Sequence, residues 1–238
     1  RGSEYPDSWV LRGNHHDAWV NGASDPVSGL VAEPAEAKSL GELVKSGWRP
    51  KRTIVYAAWD AEEEGLLGST EWVETHAAEL REKAVAYVNS DSNTRGFLAM
   101  AGSHVLEPLI NGAAREVIDP QKGITVLERA RAYAILNGGT ADRIEARERQ
   151  NLRLGAVGAG SDHAPFAFHL GVPVLNIGFG GEEQYGQYHS IYDSFDHFVR
   201  FGDPKFEYGV ALAQVAGRAV LRLSEAEILP FDFTALSE

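Results

Sequence analysis

The stretch Asp60-Ala61-Glu62-Glu63-Glu64-Gly65 directly follows the apolar run TIVYAAW at residues 53–59. Such a run is typical of a parallel strand that is covered on both faces, so the acidic residues are predicted at the carboxyl end of a buried strand. Ligands bind at that edge of an open α/β sheet. One of two adjacent carboxylates there can hold a metal ion while the next one transfers protons. Acidic runs are also common on surfaces, so the interpretation depends on partners elsewhere in the chain.

The composition is that of an ordinary globular domain. The chain has 238 residues, of which 44% are hydrophobic and 24% charged, enough for one α/β domain with a sizeable core. The net charge of −12 argues against a nucleic-acid partner, because phosphate binding relies on lysine and arginine. With no cysteine, disulfides and thiolate metal sites are excluded, and any metal must be held by His, Asp and Glu.

The ends of the chain indicate a fragment of a longer protein. It opens on Arg1 and is predicted to enter a strand within a few residues. No apolar run of about 18 residues occurs, so we expect no membrane contact by this segment. We find no signal peptide. Because the parent protein is expected to be longer, its compartment stays open, and periplasmic, secreted or membrane-anchored locations are all compatible.

Strands and helices alternate along the sequence. Apolar runs predict strands at residues 8–13, 53–59, 84–89 and 172–177. Helical spacing predicts helices at 28–45, 66–80, 105–117, 162–170 and 204–223, while the charged stretch 119–153 is expected to be a surface insertion or lid. The order predicts an α/β fold, a three-layer sandwich with a mostly parallel central sheet and helices on both faces.

Candidate metal ligands follow the predicted strands in four segments. These are His15-His16-Asp17 with Asp25-Pro26, Glu62-Glu63, Asp91, and Tyr188-His189. A zinc pair needs about three protein ligands per ion, one of them shared. We predict one ion on His15, Asp25 and Asp91 and the other on Asp25, Glu63 and His189. Glu62 is then free to accept a proton from the bridging water, and Asp17 can orient the imidazole of His15.

Simpler readings exist for each of these residues. A single loop histidine is usually solvated, and we assign no role to His16 or His163. A single Asp after a strand often caps a helix. Asp162 fits such a cap, and Tyr188 fits a core aromatic. The metal-site hypothesis therefore rests on the order and placement of all four segments together.

The sequence resembles the catalytic domain of the glutamate carboxypeptidase II family, in the di-zinc aminopeptidase superfamily and close to its transferrin receptor branch. The matching stretches run through the chain in family order, at residues 13–20, 25–26, 47–53, 59–63, 65–72, 85–92, 160–162, 188–192 and 228–232. The resemblance implies a single but truncated catalytic domain over 1–238, without the apical and C-terminal helical domains. It also implies a homodimeric parent and a peptide or N-acylated amino-acid substrate.

The resemblance implies the same ligands and the same base, Glu62. Tyr188 matches a tyrosine that hydrogen-bonds the tetrahedral intermediate, and Ser161 and Asp162 match the substrate pocket. Glu71 and Glu74 match residues that help to hold a structural calcium ion in relatives. The remaining calcium ligands lie in a domain that this chain lacks, so we expect no calcium here.

Departures from the family pattern concern specificity. Relatives with acid-loving pockets carry arginines in the loop before the last histidine, whereas residues 176–187 contain none. His16 replaces an arginine, Glu64 a phenylalanine and Ser161 an asparagine. Glutamate specificity is thus unsupported. We expect Glu182 and Glu183 to repel acidic substrates and non-acidic residues to be tolerated.

Three alternatives to a di-zinc exopeptidase stay open. One is a silent receptor or scaffold like the transferrin receptor, although no ligand is lost here. Another is a single-zinc acyltransferase like the glutaminyl cyclases, which the full ligand set disfavours. The third is that the fragment is inactive although its parent is an enzyme, because most of the substrate pocket is expected from the missing domains. The family resemblance and the demands on a bridging ligand also predict a cis peptide bond at Asp25-Pro26.

Overall fold

Five strands form one sheet in the computed structural model, which describes residues 1–182 and 186–234. The strands are β1 (Tyr5–His15), β2 (Arg52–Trp59), β3 (Ala84–Asn89), β4 (Gly96–Gly102) and β5 (Val174–Gly181). Their order is β2-β1-β3-β5-β4. All neighbouring pairs are parallel except β4 with β5, which is antiparallel. The predicted mostly parallel sheet is thereby confirmed.

Helices cover both faces of this sheet. They are α1 (Ser28–Leu30), α2 (Ala32–Lys45), α3 (Leu67–Thr75), α4 (Ala77–Lys83), α5 (Glu107–Ala114), α6 (Val126–Asn137), α7 (Thr140–Glu148), α8 (Phe195–His197) and α9 (Glu207–Glu225). Among the described residues, no helix combines the length and the apolarity that a membrane crossing requires.

Two hydrophobic cores lie on opposite faces of the sheet, because side chains alternate along a strand. Val10 and Val88 belong to the core beneath α5 and α9, while Leu11 and Tyr87 belong to the core beneath α3 and α4. In α9, buried residues recur at helical spacing, so one face of this helix is apolar: Leu212, Val215, Ala216, Ala219, Val220 and Leu223.

The register of the parallel strands brings their carboxyl ends to one edge. His15 pairs with Trp59, Gly13 with Asn89, and Asn89 in turn with Asn176. Residues that follow β1, β2 and β3 therefore emerge side by side. This alignment is what gathers distant polar residues into one site.

Several predicted elements differ from the structure. Strand β4 was not predicted, because its glycines and alanines give a weak strand signal. The predicted helix at 66–80 is interrupted at His76, which separates α3 from α4. The predicted helix at 162–170 is present but is mainly a π-helix, at Pro165–Leu170.

The stretch 119–153 is not a surface lid. It contains α6 and α7, and α6 begins with a capping box in which Thr125 and Glu128 bond each other's backbone N–H groups. α6 buries Val126, Leu127 and Ala130 in the core. The charged residues of α6 made the segment read as exposed, so its apolar face was not recognised from the sequence.

Candidate metal centre

The predicted ligands meet at the carboxyl edge of the sheet. His15 is the last residue of β1, Glu62 and Glu63 lie in the turn after β2, and Asp91 follows β3. Asp25 lies in a π-type turn at Ala23–Val27, and its bond to Pro26 is cis, as predicted. His189 lies between β5 and α8. Four chain segments thus contribute to one cluster.

Asp25 is placed between the two histidines. Its Oδ1 lies 3.4 Å from Nε2 of His15, and its Oδ2 lies 3.0 Å from Nε2 of His189. On the first side, His15 Nε2 also lies 3.1 Å from Asp91 Oδ1. On the second side, His189 Nε2 lies 3.1 Å from Glu63 Oε2. One carboxylate therefore faces two separate sets of donor atoms.

Two groups of donor atoms are compact enough to hold a cation. His15, Glu62 and Asp91 form one, and Asp25, Glu63 and His189 form the other; within each group the atoms lie within 4.8 Å of one another. The second group contains the residues predicted for one ion. In the first group Glu62, which we predict as the base, takes the place of Asp25.

The chemistry of the cluster fits zinc. In the described part of the chain, the carboxylates of Asp25, Glu63 and Asp91 form ion pairs only with the two histidines, His15 and His189. The buried Oε1 of Glu63 has no hydrogen-bond partner there. Histidine nitrogens and carboxylate oxygens are zinc ligands, and a buried oxygen without a partner is costly unless something binds it.

Burial and mutual repulsion shift the protonation of the cluster. Burial raises the pKa of Glu62 to about 8, and the neighbouring Asp91 contributes to the increase. Burial likewise raises the pKa of Glu63, with Asp25 adding to it. Burial lowers the pKa of His15, but hydrogen bonds to Asp25 and Asp91 outweigh this and raise it to about 11. Without a cation, Glu62 therefore retains its proton at neutral pH, whereas hydrogen bonding to His15 lowers the pKa of Asp91 despite its burial.

Asp17 supports the turn that carries Glu62 and Glu63. Its carboxylate accepts the backbone N–H of Glu62 at 3.0 Å and that of Glu63 at 3.1 Å. Its main-chain oxygen lies 3.1 Å from Nδ1 of His15, whereas its carboxylate is 3.5 Å from that nitrogen. The main-chain oxygen of Asp17 is thus the group that contacts the imidazole of His15, while its carboxylate is engaged by Glu62 and Glu63.

Ser161 and Asp162 lie behind Asp91. The hydroxyl of Ser161 donates to Asp91 Oδ2 at 2.7 Å, and Asn89 donates to the same hydroxyl at 3.0 Å. Asp162 is fully buried, and burial raises its pKa to about 6. The predicted substrate contact of both residues stays a prediction.

The other residues considered in the sequence differ in their exposure to solvent. Tyr188 is 66% exposed and stacks on His189 with ring centroids 3.6 Å apart, so it is not a core aromatic. His16 is exposed, whereas His163 is buried and contacts the carbonyl oxygen of Gly158 at 2.8 Å. The two glutamates matched to calcium binding, Glu71 and Glu74, are exposed on α3.

Sequence reasoning missed a buried polar network behind the site. Arg12 is fully buried and forms ion pairs of 3.3 Å with Glu33 and with Glu36. Arg12 also donates to the hydroxyl of Ser90 at 2.8 Å. That hydroxyl in turn donates to the side-chain oxygen of Asn14. Asn14 donates to the main-chain oxygen of His15 at 2.9 Å. The available signal was a charged residue in the middle of the apolar strand β1.

Gly29 allows α1 to pack closely against the segment that carries Asp91. A Cβ atom at this position would lie 1.7 Å from the carbonyl oxygen of Asp91. Only glycine therefore fits where α1 packs against the segment that carries Asp91.

A cavity of about 770 Å³ opens beside the cluster. Asp25, Asp91 and Tyr188 line one end, and mostly apolar residues of β4, β5 and α6 line the rest. Glu182, expected to repel acidic substrates, forms ion pairs with Arg129 and, at 3.4 Å, with Arg95. Its charge is thus largely compensated, which weakens the basis for the expected repulsion by Glu182, and the tolerance of non-acidic residues stays a prediction. Glu183 lies outside the described residues.

Comparisons with known proteins find a matching family and several similar sequences. The model of Peptidase family M28 matches residues 1–205. "Probable glutamate carboxypeptidase LAMP1" of Arabidopsis thaliana is 44% identical over 236 residues, covering 98% of this chain and 32% of the relative. "Aminopeptidase NAALADL1" of Mus musculus is 35% identical over 248 residues, covering 100% of this chain and 32% of the relative. The chain spans about one third of these relatives.

Solved structures share the fold. A zinc aminopeptidase from Bacillus subtilis superposes with a TM-score of 0.67 at 20% identity, covering 95% of this chain and 49% of that one. An aminopeptidase from an Aneurinibacillus strain gives a TM-score of 0.63 at 20% identity, covering 96% and 46%.

Proposed function

Because this chain belongs to peptidase family M28, we propose that it is the catalytic core of a di-zinc exopeptidase. The reaction is hydrolysis of a peptide bond near a chain terminus. The observation that carries the proposal is the placement of Asp25, whose two oxygens face His15 and His189 at 3.4 and 3.0 Å. A carboxylate between two donor sets is what a shared ligand requires.

The residues divide into ligands and reacting groups. His15, Asp25 and Asp91 would hold one ion, and Asp25, Glu63 and His189 the other. Bound zinc would supply Lewis acidity and a nucleophile at neutral pH. Glu62 accepts the proton of the attacking water and returns it to the leaving amine. Its raised pKa of about 8 in the cation-free chain is compatible with holding a proton between these steps.

Tyr188 and Asp17 assist in different ways. The exposed Tyr188 borders the cavity and would donate a hydrogen bond to the oxyanion of the substrate. Asp17 keeps Glu62 and Glu63 in place through their backbone N–H groups. Catalysis then depends on donors that are positioned before the substrate arrives.

The cavity supports a substrate residue that need not be acidic. Its lining beyond the ligands is mainly apolar and includes Phe97, Tyr133 and Ile177. Among the described residues that line the cavity, the one cation is Arg153, and it is already paired with Glu145 at 2.7 Å. An acidic side chain bound there would therefore have to compete with Glu145 for Arg153.

A peptide panel on the full-length parent tests this function. We expect hydrolysis of terminal bonds in zinc-loaded protein, with leucine or phenylalanine accepted on the cavity side of the bond. The matched control is Glu62→Gln, loaded with the same zinc. Absence of hydrolysis in a parent that holds two zinc ions would favour the silent receptor alternative. Strict dependence on an acidic residue on the cavity side of the bond would refute the proposed tolerance of non-acidic residues.

A further inference from the structure

Asp193 is a buried acid to which the proposed reaction gives no role. It lies four residues after His189, and only 3% of it is exposed. Its Oδ1 accepts the backbone N–H of Ser24 at 2.8 Å, and its Oδ2 accepts that of Asp25 at 3.0 Å. A buried carboxylate is costly unless its oxygens are hydrogen-bonded, so these two contacts are integral to the local fold.

The contacts of Asp193 join two ligand-bearing loops. Its main-chain oxygen accepts the N–H of Ala23 at 3.1 Å. Next to it, Asn21 Nδ2 donates to the carbonyl oxygen of Ile191 at 2.8 Å. Four hydrogen bonds thus connect residues 21–25 with residues 191–193. Those loops carry Asp25 and His189, whose side chains meet at 3.0 Å.

The backbone of Asp25 needs such a partner. Its φ of −107° and ψ of 100° are not helical, although it lies inside a π-type turn. Asp25 is only 7% exposed, so its N–H would be costly to bury without an acceptor. Asp17 makes the same kind of contact elsewhere in the centre, because its carboxylate accepts the backbone N–H groups of Glu62 and Glu63.

We propose that Asp193 is a positioning residue that fixes the backbone of Asp25 so that its carboxylate faces both histidines before metal binds. The inference rests on the proposed function, in which Asp25 is the shared ligand. Asp193 acts through Asp25 and does not itself contact the ions. Loss of an outer partner of a ligand typically weakens metal affinity by about 10–100-fold.

Zinc affinity of Asp193→Asn tests the inference. The probe is Zn²⁺ alone, added to the 238-residue chain in competition with a chromophoric chelator. The matched control is Asp203→Asn, because Asp203 is also 3% exposed and its carboxylate accepts two N–H groups, from Tyr208 at 2.8 Å and Gly209 at 3.1 Å, at the start of α9. Both variants remove a buried negative charge, but only Asp193 touches a ligand segment. Asp203 accepts both N–H groups with Oδ2, which the amide oxygen of Asn can replace, so Asp203→Ala is measured as a second control that removes this acceptor.

We expect Asp193→Asn to raise the zinc dissociation constant by about 10–100-fold, and Asp203→Asn to leave it unchanged. Asp193→Glu, which keeps two acceptor oxygens, should recover part of the affinity. Equal zinc affinity in Asp193→Asn and Asp203→Asn would overturn the inference. Failure of the unaltered chain to bind zinc would instead overturn the proposed function.

Hydrogen exchange on the zinc-free, unaltered chain tests the positioning directly. The amides of Ser24 and Asp25 should exchange as slowly as those of β3, because Asp193 already holds them. Rapid exchange of both amides in that chain would refute positioning before metal binding. This measurement also decides the matter if Asp193→Asn does not fold.

Discussion

Replacing Asp17 with alanine should weaken both the fold and the metal centre. The change removes the acceptor of two backbone N–H groups, at 3.0 Å from Glu62 and 3.1 Å from Glu63. The Asp17 side chain is 15% exposed, so water can replace only part of what is lost. With about 1 kcal/mol for each unpaired N–H, the low end of the usual range, the free energy of unfolding should fall by about 2 kcal/mol.

Thermal unfolding in a chelating buffer measures this loss. For a chain of this size, about 2 kcal/mol corresponds to a decrease in Tm of roughly 4–8 °C. The matched control is Asp60→Ala, which removes an exposed carboxylate of the same turn. Zinc affinity should also fall by about 10–100-fold in Asp17→Ala, because Glu63 loses its backbone support.

The reasoning fails if Asp17→Ala and Asp60→Ala have the same Tm and the same zinc affinity. A lower Tm with unchanged zinc affinity would restrict Asp17 to a structural role.

Three further predictions address the base, a close contact and the buried network. In the full-length parent, Glu62→Gln should keep its zinc but lose turnover by about a hundredfold or more, whereas Glu63→Gln should lose zinc by elemental analysis; the opposite pattern would reverse their roles. Gly29→Ala should weaken zinc binding and lower Tm, because a Cβ atom there would lie 1.7 Å from a carbonyl oxygen, while Gly41→Ala, with nothing within 4 Å, should not lower Tm; equal behaviour would exclude the clash. Burial raises the pKa of Glu36 from 4.5 to about 7, so its stabilising contribution is full below pH 4.5 and declines as pH rises to 7. In urea unfolding without metal, the unaltered chain should lose about 3 kcal/mol relative to Glu36→Gln over that window, and parallel pH profiles would contradict the shift.

The parallel part of the sheet could be predicted because its strands are continuous apolar runs followed by polar residues. The same pattern placed His15, Glu63 and Asp91 at one edge, where the strand register brings them together. Strand β4 escaped prediction, since its stability comes from pairing with β5 rather than from its own residues. Pairing of this kind between distant segments is not encoded in local periodicity.

Hydrogen-bond partners were harder to predict than metal donors. A histidine or carboxylate that follows a strand can be identified as a metal donor from the sequence. No local sequence pattern shows that Asp193 accepts the N–H of Asp25. Likewise, the charge of Glu182 suggested repulsion of acidic substrates, whereas the fold pairs it with Arg129. Such contacts join segments tens of residues apart, so only the tertiary structure reveals them.

Zinc stoichiometry tests the central claim most directly. Metal-free chain titrated with Zn²⁺ in a calorimeter should bind two equivalents, because Asp25 faces His15 and His189 with different oxygens. Asp25→Ala should weaken both binding events, since both ions share this ligand. A single equivalent that Asp25→Ala leaves unaffected would contradict the shared site and favour a single-zinc centre.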